Sequence, residues 1–279
     1  MNADFYINDK FLGNHPYGYT TFQYDLTDHL KEGPNVIAVR VRNLGRNSRW
    51  YSGSGIFRHV HLITVPPVHI ALWGVVTTVT VAEDHSSATI SLSVACENNG
   101  TDAAPSPGLI ATIMDAAGKT VATGTVDVPA LAAHSGSATV VLGGMVVKDP
   151  QLWRLEATHM YSVRVELAAH KGGGPGDAVD VDVIPFGVRT ISFSNSSGFQ
   201  LNGVETKLLG GCVHHDNGPL GSATIDRAEW RRVENLKNLG YNAIRTSHNP
   251  VSPAFLDACD HLGVLVMDEA FDCWELGCA

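Results

Sequence analysis

The chain has 279 residues, of which 44% are hydrophobic and 17% are charged, and its formal net charge is -9. This composition is typical of a globular protein with two or three domains. The negative charge and the lack of a basic run exclude nucleic acid as an expected partner. Because the longest apolar stretches have only the length of a strand, the sequence also predicts no membrane span.

The cysteines form neither a paired disulfide framework nor a CxxC metal motif; they are Cys96, Cys212, Cys259, Cys273 and Cys278. We interpret them as reduced thiols, which favours the cytoplasm. The first residues contain no leader peptide and resemble the middle of a domain. The sequence therefore leaves the location open and predicts a chain that is incomplete at its start.

Residues 1–66 are predicted to form part of an all-β domain. Aromatic or apolar residues recur in short strand-like segments, which are Phe5–Ile7, Tyr17–Tyr24, Ile37–Val41 and His59–Leu62. Alternation in the last two segments predicts one buried and one solvated face. About four strands are too few to close a sandwich, so a partial domain is expected, ending at Pro66-Pro67.

A loop within this region, Asn47–Gly55, carries Arg49, Trp50 and Tyr51 among small residues. Aromatic faces can stack on the C–H surfaces of a sugar while polar groups bind its hydroxyls. Trp and Tyr are equally common in a packed loop between domains. The residue types leave both interpretations open.

Residues 67–185 are predicted to form an immunoglobulin-like β-sandwich. Alternating apolar residues predict six strands: Val75–Val81, Ile90–Val94, Leu109–Met114, Thr139–Leu142, Tyr161–Leu167 and Val179–Val183. Turn residues separate them, among them Asn98–Gly100, Gly143-Gly144 and Gly172–Gly176. The region has no pattern of chemically active residues, so we interpret it as a spacer.

Residues 186–279 begin with a hairpin at Asn202-Gly203 and continue as strand, helix, strand, helix, strand. The predicted strands are Lys207–Gly211, Tyr241–Ile244 and Val264–Met267. The first predicted helix begins at Asp226, with Glu229 in a capping box, and ends at Gly240. The second begins at Ser252-Pro253 and ends at Gly263. Alternation of strands and helices predicts parallel pairing, as in the first βα units of a (β/α)₈ TIM barrel, a fold that places its active site at the carboxyl ends of the strands.

Each of these strands is followed by polar residues. His214, His215 and Asp216 could ligate a metal together with Asp268, Glu269 and Asp272. Adjacent residues on a strand point to opposite faces, however, so His214 and His215 would not both face one ion. A substrate pocket is the favoured interpretation, in which His215 and His248 bind hydroxyls.

Arg245 shares a strand face with Ala243 and could hold a catalytic carboxylate ionised. Its alternative role is a purely structural pair with Asp268. Asp268 and Glu269 are sequential, so their side chains should diverge, with one of them serving Arg245 or a neighbouring backbone group.

These residues resemble those of glycoside hydrolase family 2, the family of β-galactosidases and β-glucuronidases. The resemblance rests on residues 242–248 (NAIRTSH), Pro250, Phe255-Leu256, Asp260, Gly263 and residues 264–269 (VLVMDE). Further similarity lies in residues 49–58 (RWYSGSGIFR), 186–189 (FGVR) and 198–203 (GFQLNG). It covers the whole chain: part of a jelly-roll sugar-binding domain, an immunoglobulin-like domain and the start of a TIM barrel.

The resemblance implies a retaining exo-glycosidase of β-galactosidase type that acts on a carbohydrate with a terminal β-linked sugar. It implies that His215, His248 and Asn249 contact the substrate and that Trp50 lies near the site mouth. Arg245 would support the nucleophile, with Asp268 and Glu269 as further electrostatic support. The acid/base and nucleophile Glu are expected beyond Ala279, so the chain by itself is expected to be inactive.

The resemblance also bears on cofactors and partners. Some related enzymes bind Mg²⁺ or Na⁺, but Cys273 and Glu275 occupy the places of the Mg²⁺ ligands, so no metal or cofactor is expected. No nucleic acid or membrane partner is expected, and the full-length protein could form a homo-oligomer. The alternative from another class is a non-catalytic carbohydrate-binding or structural β-sandwich module.

Overall fold

The structure is a computed structural model that describes residues 2–44, 53–173 and 177–271. The strands are β1 (Ala3–Ile7), β2 (Lys10–His15), β3 (Ile37–Val41), β4 (Val68–Val81), β5 (Ser87–Asn98), β6 (Gly108–Met114), β7 (Thr120–Asp127), β8 (Gly136–Lys148), β9 (Met160–Ala168), β10 (Ala178–Gly187), β11 (Ile191–Ser194), β12 (Gly198–Leu201), β13 (Val204–Glu205), β14 (Gly210–Val213), β15 (Ala243–Thr246) and β16 (Leu265–Met267). The α-helices are α1 (Asp226–Asn238) and α2 (Pro253–Leu262). Neither is long and apolar enough to cross a membrane, as judged within the described ranges.

The chain divides into two compact units. The sandwich unit comprises His61–Leu209 and Cys259–Leu265, and the parallel-sheet unit comprises Met1–Val60, Gly210–Ala258 and Val266–Ala279.

The sandwich unit contains two antiparallel sheets, with strand orders β4-β5-β8 and β10-β9-β6-β7. Alternate residues of β5 are fully buried between them, namely Ala88, Ile90, Leu92, Val94 and Cys96. Burial raises the pKa of the Cys96 thiol to about 11, so this thiol is un-ionised and unreactive at neutral pH. The three-plus-four arrangement agrees with the predicted immunoglobulin-like sandwich.

The sequence missed one strand of the sandwich and misplaced one turn. β7 is a half-exposed edge strand built largely from Thr, Ala and Gly, so its apolar alternation is weak. Gly143-Gly144, predicted as a turn between strands, lies inside β8, where the register with β5 shifts between Ile90 and Leu92. Glycine inside a strand often marks such a bulge, and the sequence pattern does not distinguish a bulge from a chain reversal.

A small antiparallel sheet, β11-β12-β13, follows the sandwich strands in the same unit. Leu201 pairs with Val204 across the predicted two-residue turn, and Asn202 and Gly203 have φ angles of 52° and 75°. The predicted hairpin is therefore confirmed. The preceding strand β10 runs to Gly187, past the expected domain boundary at residue 185.

The parallel-sheet unit begins with an antiparallel sheet of order β2-β1-β3. The resemblance implied part of a jelly-roll here, and these three strands alone do not establish that fold. The predicted burial of β3 is wrong: Ile37 is 55% exposed and Val39 is 37% exposed. Tyr17–Tyr24 and His59–Leu62 form no strand. Alternation shows which face of a strand is apolar, but it contains no information on whether another element covers that face.

The predicted parallel strands are present, with β14 pairing in parallel with β15 and β16 next to β15. β14 starts at Gly210, later than predicted, where a Cβ atom would lie 1.7 Å from the carbonyl oxygen of Ala243. Only glycine permits this close approach of the two backbones. This sheet agrees with the predicted start of a barrel.

The two helices of this region differ in how they begin. Ser252 caps α2 as predicted, because its Oγ accepts a hydrogen bond from the backbone N–H of Phe255 at 3.3 Å. The predicted cap of α1 is wrong: Ile225 occupies the cap position and no side chain caps the helix. Asp226 is the first helical residue, and its carboxylate instead contacts His59 Nε2 at 2.7 Å.

Candidate active site

One polar cluster lies at the carboxyl ends of β15 and β16, and we call it the Glu269 cluster (Arg245, Thr246, His248, Asp268 and Glu269). Glu269 is held from two sides. Arg245 Nε contacts its Oε1, and His248 Nδ1 lies 2.7 Å from its Oε2. The peptide bond between Ser247 and His248 is cis. Arg245 and His248 thus contact different oxygens of the Glu269 carboxylate, and together they fix its orientation.

Thr246 contacts both of the sequential acidic residues, Asp268 and Glu269. Its hydroxyl donates to Asp268 Oδ1 at 2.8 Å and accepts a hydrogen bond from the backbone N–H of Glu269 at 2.9 Å. The Asp268 carboxylate contacts Thr246, whereas the Glu269 carboxylate contacts Arg245 and His248, so the predicted divergence of the two side chains is confirmed. Arg245 pairs with Glu269, and the alternative structural pair of Arg245 with Asp268 is not the arrangement found.

Arg245 is an exposed member of the cluster, with 46% of its side chain accessible, compared with 12% for His248. Its Nη1 lies 3.5 Å from the sulfur of Cys212 on the neighbouring strand β14. Hydrogen bonds from Arg245 to Cys212 and Glu269 raise the pKa of the guanidinium further. Arg245 therefore carries a permanent positive charge at the open end of the strands.

His214 and His215 follow β14 and point to different neighbours, as expected for adjacent residues. The His214 ring meets the His248 ring edge-on, with centroids 5.6 Å apart. The His215 ring packs on the ring of Tyr19 at 4.8 Å. No three His, Cys, Asp or Glu side chains in the described ranges are grouped so that they could hold a metal ion.

His215 belongs to a second group, which we call the Asn249 cluster (Tyr17, Tyr19, Arg58, His215 and Asn249). His215 Nε2 lies 3.2 Å from the backbone oxygen of Asn249. Burial, together with the charges of Arg58 and Arg232, lowers the pKa of His215 to about 4. The ring is therefore neutral at pH 7, and since a carbonyl only accepts, Nε2 carries the proton and Nδ1 carries the lone pair.

Tyr17, Tyr19 and Arg58 complete this cluster, and all three lie outside the strands. The Tyr17 hydroxyl donates to Asn249 Oδ1, and Arg58 Nη1 donates to the backbone oxygen of Tyr19 at 3.0 Å. Arg58 Nη2 donates to the backbone oxygen of Pro250. The sequence pattern predicts no role for Tyr17, Tyr19 or Arg58, because the contacts of Arg58 with Pro250 and of Tyr17 with Asn249 join residues about two hundred positions apart.

Glu229, on helix α1, is a buried carboxylate outside both clusters. Its carboxylate accepts hydrogen bonds from Asn217 Nδ2 at 2.6 Å, Arg232 Nη1 at 3.1 Å and Ser252 Oγ at 3.2 Å. The sequence predicted Glu229 as part of a capping box, which is wrong. It is a buried acceptor that ties α1 to the loop after β14 and to the start of α2.

The structure thus sorts the predicted site residues into two groups: Arg245, His248, Asp268 and Glu269 in one, and His215 and Asn249 in the other. Trp50 lies outside the described residues, as do Asp272, Cys273 and Glu275, and its place near the site stays a prediction. Chemically, the two groups offer a fixed cation, oriented carboxylates, a neutral imidazole and a primary amide. This set suits an uncharged ligand rich in hydroxyl groups.

Two family models match the chain. The model described as "Glycosyl hydrolases family 2" matches residues 68–189, which form the sandwich. The model described as "Glycosyl hydrolases family 2, TIM barrel domain" matches residues 194–273, which include β14, β15 and β16.

The chain is 41% identical over 277 residues to Beta-galactosidase BoGH2A of Bacteroides ovatus, covering 99% of this chain and 31% of that protein. Among solved structures, a glycosyl hydrolase family 2 member from Bacteroides cellulosilyticus matches with a TM-score of 0.89 and 42% identity, covering 100% of this chain and 37% of that chain. A Bacteroides uniformis beta-glucuronidase matches with a TM-score of 0.86 and 30% identity, covering 96% and 33%. The chain spans about a third of the length of these relatives.

Proposed function

Since this chain belongs to glycosyl hydrolase family 2, we propose that it is part of a retaining glycoside hydrolase of β-galactosidase type. The observation that carries the proposal is the Glu269 cluster. It gathers a cation, a histidine and two oriented carboxylates at the carboxyl ends of parallel strands, where barrel enzymes bind and convert substrate. The similarity to a protein named Beta-galactosidase BoGH2A supports the same conclusion.

In this proposal Asp268 and Glu269 support the site and are not the catalysts. Asp268 accepts from Thr246, and both oxygens of Glu269 are engaged by Arg245 and His248. A retaining enzyme needs one carboxylate free to attack the anomeric carbon and another, about 5 Å away, that protonates the leaving oxygen. Both are expected to come from Glu residues outside this chain, and water then releases the sugar.

Arg245 has the role of an electrostatic support for the nucleophile, and His215, His248, Asn249 and Trp50 have the role of sugar contacts. Arg245 projects from the open end of β15 with half of its side chain exposed, so its charge can act on a carboxylate placed above it.

The charges favour a neutral sugar over a sugar acid. Arg245 is paired with Glu269, Arg232 with Glu229, and Arg58 with backbone carbonyls. Recognition of a glucuronate carboxylate usually requires an arginine or lysine that is not already committed to a protein partner. We therefore infer a neutral glycone, and the similarity to a protein named Beta-galactosidase BoGH2A favours galactose among the neutral sugars.

The test uses the full-length protein with nitrophenyl β-glycosides of galactose, glucose, mannose and glucuronic acid. We expect the galactoside to be hydrolysed fastest, and proton NMR to show that the first product keeps the β configuration. Preference for the glucuronide would overturn the sugar assignment. Binding of sugars by calorimetry without any turnover would instead support a non-catalytic carbohydrate-binding module.

A second experiment tests the role of Glu269. Glu269→Ala should lower kcat/KM, and added azide should neither restore activity nor form a glycosyl azide, because a supporting carboxylate leaves no vacant attack position when it is removed. An α-glycosyl azide product would show that Glu269 is the nucleophile. Asp268→Asn is the matched control, since it alters the neighbouring carboxylate and leaves the contacts of Glu269 in place.

A further inference from the structure

Tyr17 reaches Asn249 from a distant part of the chain. Its hydroxyl donates to Asn249 Oδ1, and the two residues are 232 positions apart. Asn249 is buried, with 9% of its surface exposed, while Tyr17 is half-buried. An amide can rotate by half a turn and exchange its oxygen and nitrogen at little steric cost. In the orientation that the structure shows, Oδ1 accepts from the Tyr17 hydroxyl, so the N–H groups of Nδ2 lie on the other side of the amide.

The backbone of Asn249 is fixed independently of its side chain. Its carbonyl oxygen accepts the hydrogen bond from His215 Nε2, and the next carbonyl, that of Pro250, accepts from Arg58. The same Arg58 holds the backbone of Tyr19, whose ring packs on His215. Arg58 and Tyr19 therefore hold together the two segments that carry Tyr17 and Asn249.

These contacts determine which groups remain for a ligand. With Oδ1 engaged, Asn249 offers the two N–H donors of Nδ2, and no described residue accepts a hydrogen bond from them. With Nε2 engaged, His215 offers the lone pair of Nδ1, which likewise has no partner in the described part of the chain. A donor and an acceptor on neighbouring side chains match sugar hydroxyls, each of which accepts and donates.

We propose that Tyr17 is a positioning residue that holds the Asn249 amide with its N–H groups toward the substrate, so that Asn249 and His215 together recognise sugar hydroxyl groups. The inference rests on the proposed glycosidase function and adds a specificity-determining residue from the N-terminal segment that follows β2. Tyr17 acts through Asn249 and need not touch the sugar.

The experiment is a double-mutant cycle in the full-length protein with Tyr17→Phe, Asn249→Ala and both together. Loss of one hydrogen bond to a buried polar group predicts that Tyr17→Phe lowers kcat/KM by about 10-fold and Asn249→Ala by about 30-fold to 100-fold. If Tyr17 acts through Asn249, the double variant should be no worse than Asn249→Ala alone. Tyr6→Phe is the matched control, because Tyr6 lies on β1 with its ring against Phe11 and outside both clusters.

Monodeoxy galactosides provide the readout that a structural role would not change. The unaltered protein should discriminate strongly against the one deoxy position that Asn249 recognises. Asn249→Ala should lose that discrimination and Tyr17→Phe should reduce it about 10-fold, in line with a weakened hydrogen bond. This ratio is measured within one preparation, so it does not depend on the folded fraction.

The outcomes separate the inference from the function on which it rests. Losses that multiply in the double variant, or a Tyr17→Phe loss that is equal for every deoxy substrate, would overturn the role of Tyr17 while leaving the glycosidase intact. No hydrolysis of any glycoside by the unaltered protein would overturn the proposed function and the inference with it.

Discussion

The sandwich and the Glu269 cluster use their residues in opposite ways. In the sandwich, Ile90, Leu92 and Val163 are fully buried, and their side chains belong to the apolar core. In the Glu269 cluster, Arg245, His248 and Glu269 remain partly exposed and are joined by charged and polar contacts. Apolar burial is the main source of folding stability, whereas exposed polar contacts contribute little to it.

The contrast indicates where each region is sensitive to substitution. Changes in the sandwich core should reduce stability and leave the chemistry of folded molecules unchanged. Changes in the Glu269 cluster should reduce turnover and leave folding largely unchanged.

The largest effect is expected for Leu92→Ala at the centre of β5. Removing a fully buried leucine side chain leaves a cavity and should lower the free energy of unfolding by about 2–5 kcal/mol. Calorimetry of the full-length protein would measure this, and kcat per folded molecule should not change. Thr89→Ala, on the opposite face of the same strand, is the control. An equal loss there would contradict the burial of the Leu92 face and the partial exposure of the Thr89 face.

A large kinetic effect is expected for Arg245→Met. If Arg245 supports the nucleophile as proposed, removing its charge should lower kcat/KM on the order of 10²-fold to 10³-fold. Because a nearby positive charge favours the ionised carboxylate, its loss should also move the acidic limb of the pH–rate profile to higher pH. Arg245→Lys keeps the charge and loses the planar fork, so it should impair activity less and leave the limb in place. An unchanged pH profile in both variants would contradict the electrostatic role.

The sequence predicted most of the fold because apolar alternation, turn residues and helix caps are local signals. The β5 pattern, the Asn202-Gly203 turn and the Ser252 cap depend on residues a few positions apart, and all three are confirmed. The exposure of Ile37 and the late start of β14 depend on what approaches from elsewhere in the chain. No local pattern contains that information.

In the candidate site, too, local features could be predicted from the sequence and contacts between distant segments could not. The ends of β14, β15 and β16 could be predicted because a strand–helix alternation fixes where polar residues accumulate. The partners could not: Arg245 pairs with Glu269 and Glu229 is a buried acceptor. Tyr17 comes from a segment predicted to be a strand, and Arg58 comes from residues 49–58, for which the sequence predicted no partner. Such contacts depend on the packing of distant segments, although a run of aromatic residues without strand alternation at Tyr17–Tyr24 was a usable signal.

A smaller effect is expected from the pH dependence of stability. The pKa of His215 is lowered from its usual 6.5 to about 4, so the unfolded chain binds a proton in this interval that the folded chain does not. The resulting stability is fully present above about pH 6.5 and decreases as the pH falls toward 4, with a slope of about 1.4 kcal/mol per pH unit. Urea unfolding between pH 4.5 and 7 would show a shallower slope in His215→Gln. Equal slopes in the two proteins would mean that His215 titrates normally.

The smallest effect is expected at Asp226, which lies in the parallel-sheet unit but outside both clusters. Its contact with His59 joins side chains that are 56% and 59% exposed, and pairs of this kind contribute less than about 1 kcal/mol. If Asp226 capped α1, Asp226→Asn would keep the stability and Asp226→Ala would lose about 1 kcal/mol, because Asn is as good a cap as Asp. The structure places Asp226 inside the helix, where its charge acts on His59 and on the helix dipole, so both variants should lose a similar, small amount. Urea midpoints at low and high salt distinguish the cases, since salt screens an exposed charge and leaves a capping hydrogen bond in place. A clear advantage of Asn over Ala would restore the capping role that the sequence predicted.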